Sequence, residues 1–281
     1  MSLDLIEQLS LPGSDTRPNE DSFAVLDRAA LVMDGATPLG PSLLPGPSDA
    51  AWIAQFGARR LTAHLKDGDA PQEALKHALE DAARSFIGLT REPIRERWQT
   101  PCASMMLAAE VSQGQFEFLW FGDCAVLIQS NAKVTLVGEA LGKRKEEAAR
   151  ARRIAKEKNI SAAAGINRPE IEPLLRAARN RINSGKNWLF SPDARALSHV
   201  SRRALLLEAG SSLLIASDGF LALVSDYEAY DAAGLMAAVK AKGLSALAHE
   251  LRAIEHADAN GDKFSRFKKS DDCTALFLRV R

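Results

Sequence analysis

The chain has 281 residues, of which 46% are apolar and 26% charged. That balance is ordinary for a globular protein, excludes wholesale disorder, and leaves enough chain for one large core. Lysine plus arginine number 36, as do aspartate plus glutamate, so the overall field draws in neither nucleic acid nor an anionic membrane.

Three cysteines, Cys102, Cys124 and Cys273, show no CxxC spacing, which argues against a disulfide framework and against a zinc ribbon. No apolar run approaches the roughly 18 residues needed to span a bilayer. The opening MSLDLIEQLS carries acids where a secretory leader carries lysine or arginine, so a cytoplasmic location is expected.

In chain order, two short apolar runs between Ser22 and Met33, broken at Asp27-Arg28, predict a β-hairpin. A loop rich in proline and glycine follows from Thr37 to Pro47. Ser48 reads as the N-cap of a helix with Trp52, Phe56 and Leu61 on its inner side, stopping near Gly68. Pro71 suits a first helical turn, and Leu75, Leu79, Ala82 and Phe86 continue at helical spacing. Strands are predicted from Ala103 to Val111 and from Phe116 to Phe121, joined by Ser112-Gln113-Gly114, with a further pair between Ala125 and Val137.

From about residue 142 to 183 the character changes. KRKEEAARARRIAKEKN favours helix but lacks an apolar stripe and is positively charged, so an exposed, lightly docked basic insert is expected. Strands return from Ala204 to Leu207 and from Ser211 to Ser217. A helical region runs from Tyr227 to His256, interrupted at Lys242-Gly243, and a strand from Cys273 to Val280 closes the chain. This order implies antiparallel sheet covered by helices, an α+β plan, within one domain over residues 1 to 281.

The chemistry lies where apolar strands end. LVMDG supplies Asp34, FLWFGD supplies Asp123, LLIASDG supplies Asp218, and SDDCTALFL supplies Asp271 and Asp272, while Glu20-Asp21 opens the first strand of the hairpin. An aspartate-glycine pair after a strand is usually only a turn. Several of them, with no histidine or cysteine ligand in competition, point to an acidic site for hard divalent cations such as Mg²⁺ or Mn²⁺. Two such ions about 3.5–4 Å apart activate a bridging water and neutralise a phosphoryl oxygen.

RPNEDSF, LVMDGAT, FGDC, LLIASDGF and SDDCTALFL, in this order between about residue 13 and 281, resemble the motif series of the type 2C metal-dependent serine/threonine protein phosphatases, the PPM family, in a divergent bacterial form. The resemblance implies a four-layer αββα sandwich of two antiparallel sheets flanked by helices. It implies a phosphoprotein substrate, attacked in line at phosphoserine or phosphothreonine by a hydroxide bridging two Mn²⁺ or Mg²⁺ ions. Asp34 bridges both metals in that scheme, the Gly35 carbonyl binds one, and Asp218 and Asp271 complete the second. Glu20 and Asp21 hold metal-bound waters, and Arg17 grips the substrate phosphate.

The sequence departs from the family pattern at four places. Arg17 lies four residues before Asp21, one fewer than in the pattern. Ala36 stands where a histidine general acid is frequent. Ala222 stands where an acid would join Asp123 at a third metal, so a third site is expected to be weak or absent. Asp272 replaces a common asparagine and is read as orienting Asp271. A non-catalytic phosphoprotein-binding relative and a phosphatase of small metabolites are the alternative readings.

Weaker signals remain. The basic stretch from Lys143 to Arg181 offers a surface to an acidic or phosphorylated partner, or is only a solvated helix pair. Lys263, Arg266, Lys268 and Lys269 cluster just before Asp271, to favour a phosphate or merely solubility. Cys124 and Cys273 read as small buried strand residues, with oxidation sensing as the alternative. His64, His77, His199, His249 and His256 show no ligand motif such as HExxH, and surface or packing roles are expected for them.

Overall fold

In the computed structural model, residues 1–139, 149, 152–154, 156–157 and 169–281 are described. The strands are β1 (Leu3–Leu11), β2 (Asp21–Val25), β3 (Ala29–Gly35), β4 (Ala103–Ser112), β5 (Gln115–Phe121), β6 (Ala125–Ser130), β7 (Lys133–Val137), β8 (Ser201–Leu206), β9 (Ser212–Ala216) and β10 (Cys273–Val280). They form two antiparallel sheets, in the orders β1-β10-β9-β6-β7 and β2-β3-β4-β5-β8. The helices include α1 (Asp49–Lys66), α2 (Pro71–Leu89), α3 (Glu172–Arg179), α4 (Asp218–Ser225) and α5 (Ala232–Ala257).

Central strands here are apolar without interruption because both of their faces are buried. Side chains alternate between faces of a strand, so in β3 Ala30 and Val32 point into the space between the sheets, where they meet Val126, Ile215 and Leu276. Leu31 and Met33 point the other way, onto Ile53, Leu61, Leu75 and Leu79 of α1 and α2. The second sheet repeats the scheme: Leu276 and Leu278 of β10 face the first, while Ala275 and Phe277 lie under Leu221, Leu235 and Leu247 of α4 and α5. The result is the expected four layers, helix, sheet, sheet, helix.

The sequence reading holds for the hairpin, where Val25 pairs with Ala30, and for the first two helices. The Ser48 side chain accepts from the amides of Ala50 and Ala51, and α1 ends at Lys66, before Gly68 with its φ of +96°. Gly243, at φ 81°, breaks α5 as anticipated. The carboxylate of Glu7 accepts from the amides of Leu244 (2.9 Å) and Ser245 (3.2 Å), recapping the helix after the break.

Three elements differ from expectation. β1 reads LDLIEQLSL and was not predicted. It is an edge strand with a bulge between Leu5 and Glu7, and Leu5 and Ile6 are exposed, so no clean period-2 signal survives. β8 begins at Ser201, three residues before its expected start, because exposed Arg202 and Arg203 disguise it. α4 was not predicted either: eight residues buried almost all round carry no amphipathic stripe.

One charged group supports the sandwich at a distance from its acidic edge. The side chain of Glu110, at the end of β4, is wholly buried and accepts from the Gly114 amide (2.9 Å), the Met1 amine (2.9 Å) and Arg28 Nε (3.0 Å). Burial pushes its pKa up, but the Gly114 amide, the terminal amine and Arg28 outweigh burial and hold it below the ordinary 4.5. A depressed carboxyl contributes stability above its unfolded pKa and loses it as pH falls through the folded value. Glu110→Gln is therefore expected to lower unfolding stability by about 1–3 kcal/mol at pH 7. Denaturant titrations of both proteins should show that deficit narrowing below about pH 4.5; a pH-independent deficit would contradict the assignment.

Candidate metal centre

Strand register brings the acids together. Asp21, the first residue of β2, pairs directly with Asp34 near the end of β3, and Asp34 pairs on its other side with Ser104 of β4. From the second sheet, β9 runs through Ser217 into Asp218 at the start of α4, and Asp271 lies two residues before β10. Asp123 sits in the turn between β5 and β6. Asp34, Asp123, Asp218 and Asp271 line one cleft of about 490 Å³, together with Gly35, Ser104, Arg179 and Lys268. Carboxylate oxygens of Asp34, Asp123 and Asp218 lie within 4.8 Å of one another.

Close backbone approach fixes the rim. A Cβ on Gly35 would collide with the Ala50 carbonyl in the first turn of α1, and one on Gly219 with the Asp272 carbonyl. Glycine is required at both positions for α1 and α4 to sit against the acidic edge.

Hydroxyl groups hold the carboxylates. Asp21 Oδ2 accepts from Ser217 Oγ (2.8 Å), which itself accepts from the Thr274 amide (3.0 Å). Glu20 accepts from Thr37 Oγ1 (2.5 Å) and from Ser48 Oγ, so the N-cap of α1 is also a donor to the site. Asp123 Oδ1 accepts from Ser104 Oγ (2.5 Å). Asp272, expected to orient Asp271, donates its amide to Asp271 Oδ1 (3.0 Å), while its carboxylate accepts from the amides of Gly13 and Glu20, each at 2.7 Å. It thus anchors the loop that carries Glu20. Thr37, Ser104 and Ser217 escaped sequence reasoning, because an isolated hydroxyl carries no spacing signal.

The electrostatics fit a hard cation. Burial raises the pKa of Asp34 well above its usual range, and Asp21, Asp218, Asp271 and Asp123 raise it further. Asp21 is raised by burial and by Asp272 and Asp271, against hydrogen bonds from Thr274 and Ser217. Like charges directly opposite on paired strands destabilise a sheet. Moreover, Asp21 Oδ1 is buried without a hydrogen-bond partner among the described residues, a costly state that a bound ion or its water relieves. All the donors are oxygen, the preference of Mg²⁺ and Mn²⁺. The neighbouring Cys124 thiol is pushed well up, by burial first and then by Asp34 and Asp123, so it is neutral and unsuited to oxidation sensing.

The cations of the site are distributed unlike the sequence reading. Arg17 is exposed in the turn before β2 and does not line the cleft. Arg179, Arg181 and Lys268 do. Arg179 extends from α3 to the carbonyls of Ala36 (3.3 Å) and Thr37 (3.4 Å). Lys268 donates to Asp271 Oδ1 at 2.6 Å. Burial disfavours its charge, but Asp271, Asp34 and Glu20 outweigh burial and keep it an ammonium. Ala222, on α4, faces the core and does not line the cleft.

Within the basic insert, Lys143, Arg144 and Lys145 lie outside the described residues. Of the described part, Arg176 donates to the Leu39 carbonyl (3.0 and 2.7 Å) and covers the Trp98 ring at 4.1 Å. Its charge serves docking of α3 on the cleft edge, and nothing supports the acidic partner expected there. No helix among the described residues is long and apolar enough to cross a membrane.

Two sheets that converge carboxylates at one edge, above a cleft open to a substrate, define a metal-dependent hydrolase. Residues 14–253 match the family model of Protein phosphatase 2C, and the chain belongs to that family, as a metal-dependent serine/threonine phosphatase acting on phosphoproteins. The Mycobacterium tuberculosis serine/threonine phosphatase PstP/Ppp has a similar structure, with a TM-score of 0.59, 17% identity and full coverage of both chains. The S. agalactiae serine/threonine phosphatase gives a TM-score of 0.57 at 14% identity, over 99% of this chain and 100% of that one. The PstP catalytic domain in complex with two manganese ions gives 0.57 at 16% identity, over 100% and 99%. Such distant neighbours show the fold. Comparison with curated proteins finds no match.

If the Asp21–Asp34 opposition persists only because a cation relieves it, Asp34→Asn will have opposite effects with and without metal. In chelated protein it should raise stability by up to about 1 kcal/mol. It should also abolish the stabilisation by Mn²⁺, seen as a rise in Tm, which for wild type is worth about 2.7 kcal/mol at one hundred times the dissociation constant. A chelated variant less stable than wild type, yet still stabilised by Mn²⁺, would refute the fit.

Proposed function

We propose that this phosphatase holds two Mn²⁺ or Mg²⁺ ions, which Asp34, the Gly35 carbonyl, Asp218 and Asp271 would hold directly and Glu20 and Asp21 through water. The observation that carries this reading is Asp21 facing Asp34 across the hairpin with a buried, unpartnered oxygen. When bound, the ions would supply an activated water and neutralise charge on the phosphoryl oxygens.

The chain's own residues prepare that reaction. Asp272, Thr37 and Ser48 immobilise Glu20, and Ser217 immobilises Asp21, which favours preorganised oxygens over mobile ones. Ser104 is engaged as a donor to Asp123 and the Cys124 thiol is neutral and buried. Neither is placed as a nucleophile, and direct attack by water follows. No histidine lines the cleft among the described residues, so the leaving oxygen takes its proton from water. Asp123 adds a third carboxylate beside Asp34 and Asp218, but with Ala222 turned to the core the third metal stays weak or absent. Three buried free cysteines suit a reducing compartment, and we place the protein in the cytoplasm.

Of the two guanidiniums that line the cleft, Arg179 and Arg181, Arg179 is the one held against its edge by the Ala36 and Thr37 carbonyls, and we assign it the phosphate. Removing a charge-assisted hydrogen bond costs about 1.5–3 kcal/mol, so Arg179→Ala should raise KM for a phosphothreonine peptide at least about tenfold. Arg17→Ala, in the same Mn²⁺-dependent assay, should change it less than about twofold. The reverse ranking would return the phosphate to Arg17. Asp218→Ala should lose turnover altogether; measurable activity there would overturn the metal-centred reading.

Lys268 adds a consequence for metal affinity. Its ammonium already neutralises Asp271, an oxygen that one ion needs. Lys268→Met should tighten Mn²⁺ binding by about tenfold, roughly 1.4 kcal/mol, in calorimetric titrations. An unchanged or weakened affinity would mean that the lysine leaves Asp271 free to coordinate.

A further inference from the structure

A second group of potential ligands lies at the opposite end of α1. His64 is in its last turn, Asp69 is in the following turn, and His77 is on α2. One imidazole nitrogen from each histidine and one Asp69 oxygen lie within 4.8 Å of one another. His77 Nδ1 is 2.7 Å from Asp69 Oδ2, His64 Nδ1 is 3.6 Å from the same oxygen, and the two rings are 5.1 Å apart. The sixteen residues of α1 from Ser48 to His64 put this group about 24 Å from the acidic edge, at ~1.5 Å per residue.

The tautomer of His64 makes the arrangement informative. Its Nε2 lies 2.9 Å from Asp81 Oδ2. A carboxylate only accepts, so this close contact makes Nε2 the protonated nitrogen; the Arg60 Nη2 group, at 3.3 Å, is the more distant neighbour. Asp81 is itself held by Arg60 Nε (2.5 Å) and by Arg84. Hydrogen bonds from His64, Arg60 and Arg84 outweigh burial and hold its pKa below the usual range, so it is ionised. In that neutral tautomer His64 Nδ1 keeps its lone pair and lies 3.6 Å from Asp69 Oδ2, too far for a hydrogen bond. That geometry asks for a cation in the gap. A histidine ligand whose second nitrogen donates to a carboxylate is the usual support of a bound transition metal.

We propose that His64 Nδ1, His77 Nδ1 and Asp69 Oδ2 form a site for a divalent transition metal, Zn²⁺ foremost, with water as fourth ligand, the metal displacing to solvent the proton that His77 Nδ1 otherwise donates to Asp69 (2.7 Å). Two imidazoles and one carboxylate suit tetrahedral Zn²⁺, whereas the oxygen-only cleft suits Mn²⁺ or Mg²⁺. The site is a staple between α1 and α2, separate from the catalytic ions, and it stands or falls independently of them.

Co²⁺ is the probe, because its visible spectrum reports tetrahedral coordination, and the full-length Asp34→Asn protein removes the cleft as a competitor. Saturable, intense Co²⁺ absorption is expected in Asp34→Asn, displaced by Zn²⁺. Adding His77→Gln or Asp69→Asn should abolish it, and adding Asp81→Asn should weaken binding about 10–100-fold. His77→Gln alone should leave Mn²⁺-dependent phosphatase turnover as in wild type. In wild-type protein, Zn²⁺ should shift the imidazole ¹⁵N resonances of His64 and His77, a readout that needs no variant to fold. Absence of a tetrahedral Co²⁺ spectrum in Asp34→Asn, its survival in the His77→Gln combination, or unmoved His64 and His77 resonances would each overturn the site. In the last case a proton, not a metal, fills the gap.

Discussion

The molecule depends on an unfavourable interaction kept in place by favourable ones. Asp21 and Asp34 face each other across two paired strands, and Asp218 and Asp271 approach from the other sheet. In the absence of a cation this arrangement opposes folding, since each added charge raises the pKa of Asp34 further. Mobile carboxylates would simply separate. They stay because each stands at or beside the end of a strand or helix whose remaining residues are buried in one of three apolar layers. The sandwich supplies the force that holds like charges together, and the cation site is the product.

Apolar packing alone would place the Cα atoms and leave the oxygens free to rotate. The orientation comes from short polar links that join the two sheets at their common edge. Asp272, just before β10, reaches the amides of Gly13 and Glu20. Ser217, after β9, reaches Asp21. Ser48, at the start of α1, reaches Glu20. The links of Asp272 to Glu20, of Ser217 to Asp21 and of Ser48 to Glu20 each cross from one structural layer to another, so a displacement of either sheet or of α1 would be felt at the carboxylates. Preorganisation of this kind is what separates a catalytic constellation from a patch of surface acid.

The parts of this design legible in the sequence were those that repeat or that end something. Apolar strands terminating in aspartate could be read directly, and so could Ser48 before a helix, Gly68 after it and Gly243 within another. β1 and β8 could not, because edge strands expose one face and lose their pattern. α4 could not, because a helix buried all round has no stripe. Arg17 is assigned to the phosphate by the family resemblance, whereas Arg179, some 160 residues later, reaches the cleft only through the docking of α3. His64 and His77 are thirteen residues apart on different helices, a spacing that says nothing until the turn between α1 and α2 folds one ring against the other.

Lys268 completes the electrostatic argument. Four aspartates around a cleft require positive charge at every stage of the protein's life, including before any metal arrives. The ammonium of Lys268, 2.6 Å from Asp271 and attracted by Asp34 and Glu20, meets that need from within the chain. It carries a single charge on a flexible stem and can swing away, whereas a divalent ion brings twice the charge and orders several oxygens at once. On the proposed ligand set, the same lysine that neutralises Asp271 must leave it before an ion can bind there. On that reading, stability of the fold and affinity for metal are set against each other through one side chain, three positions before Asp271 in the chain.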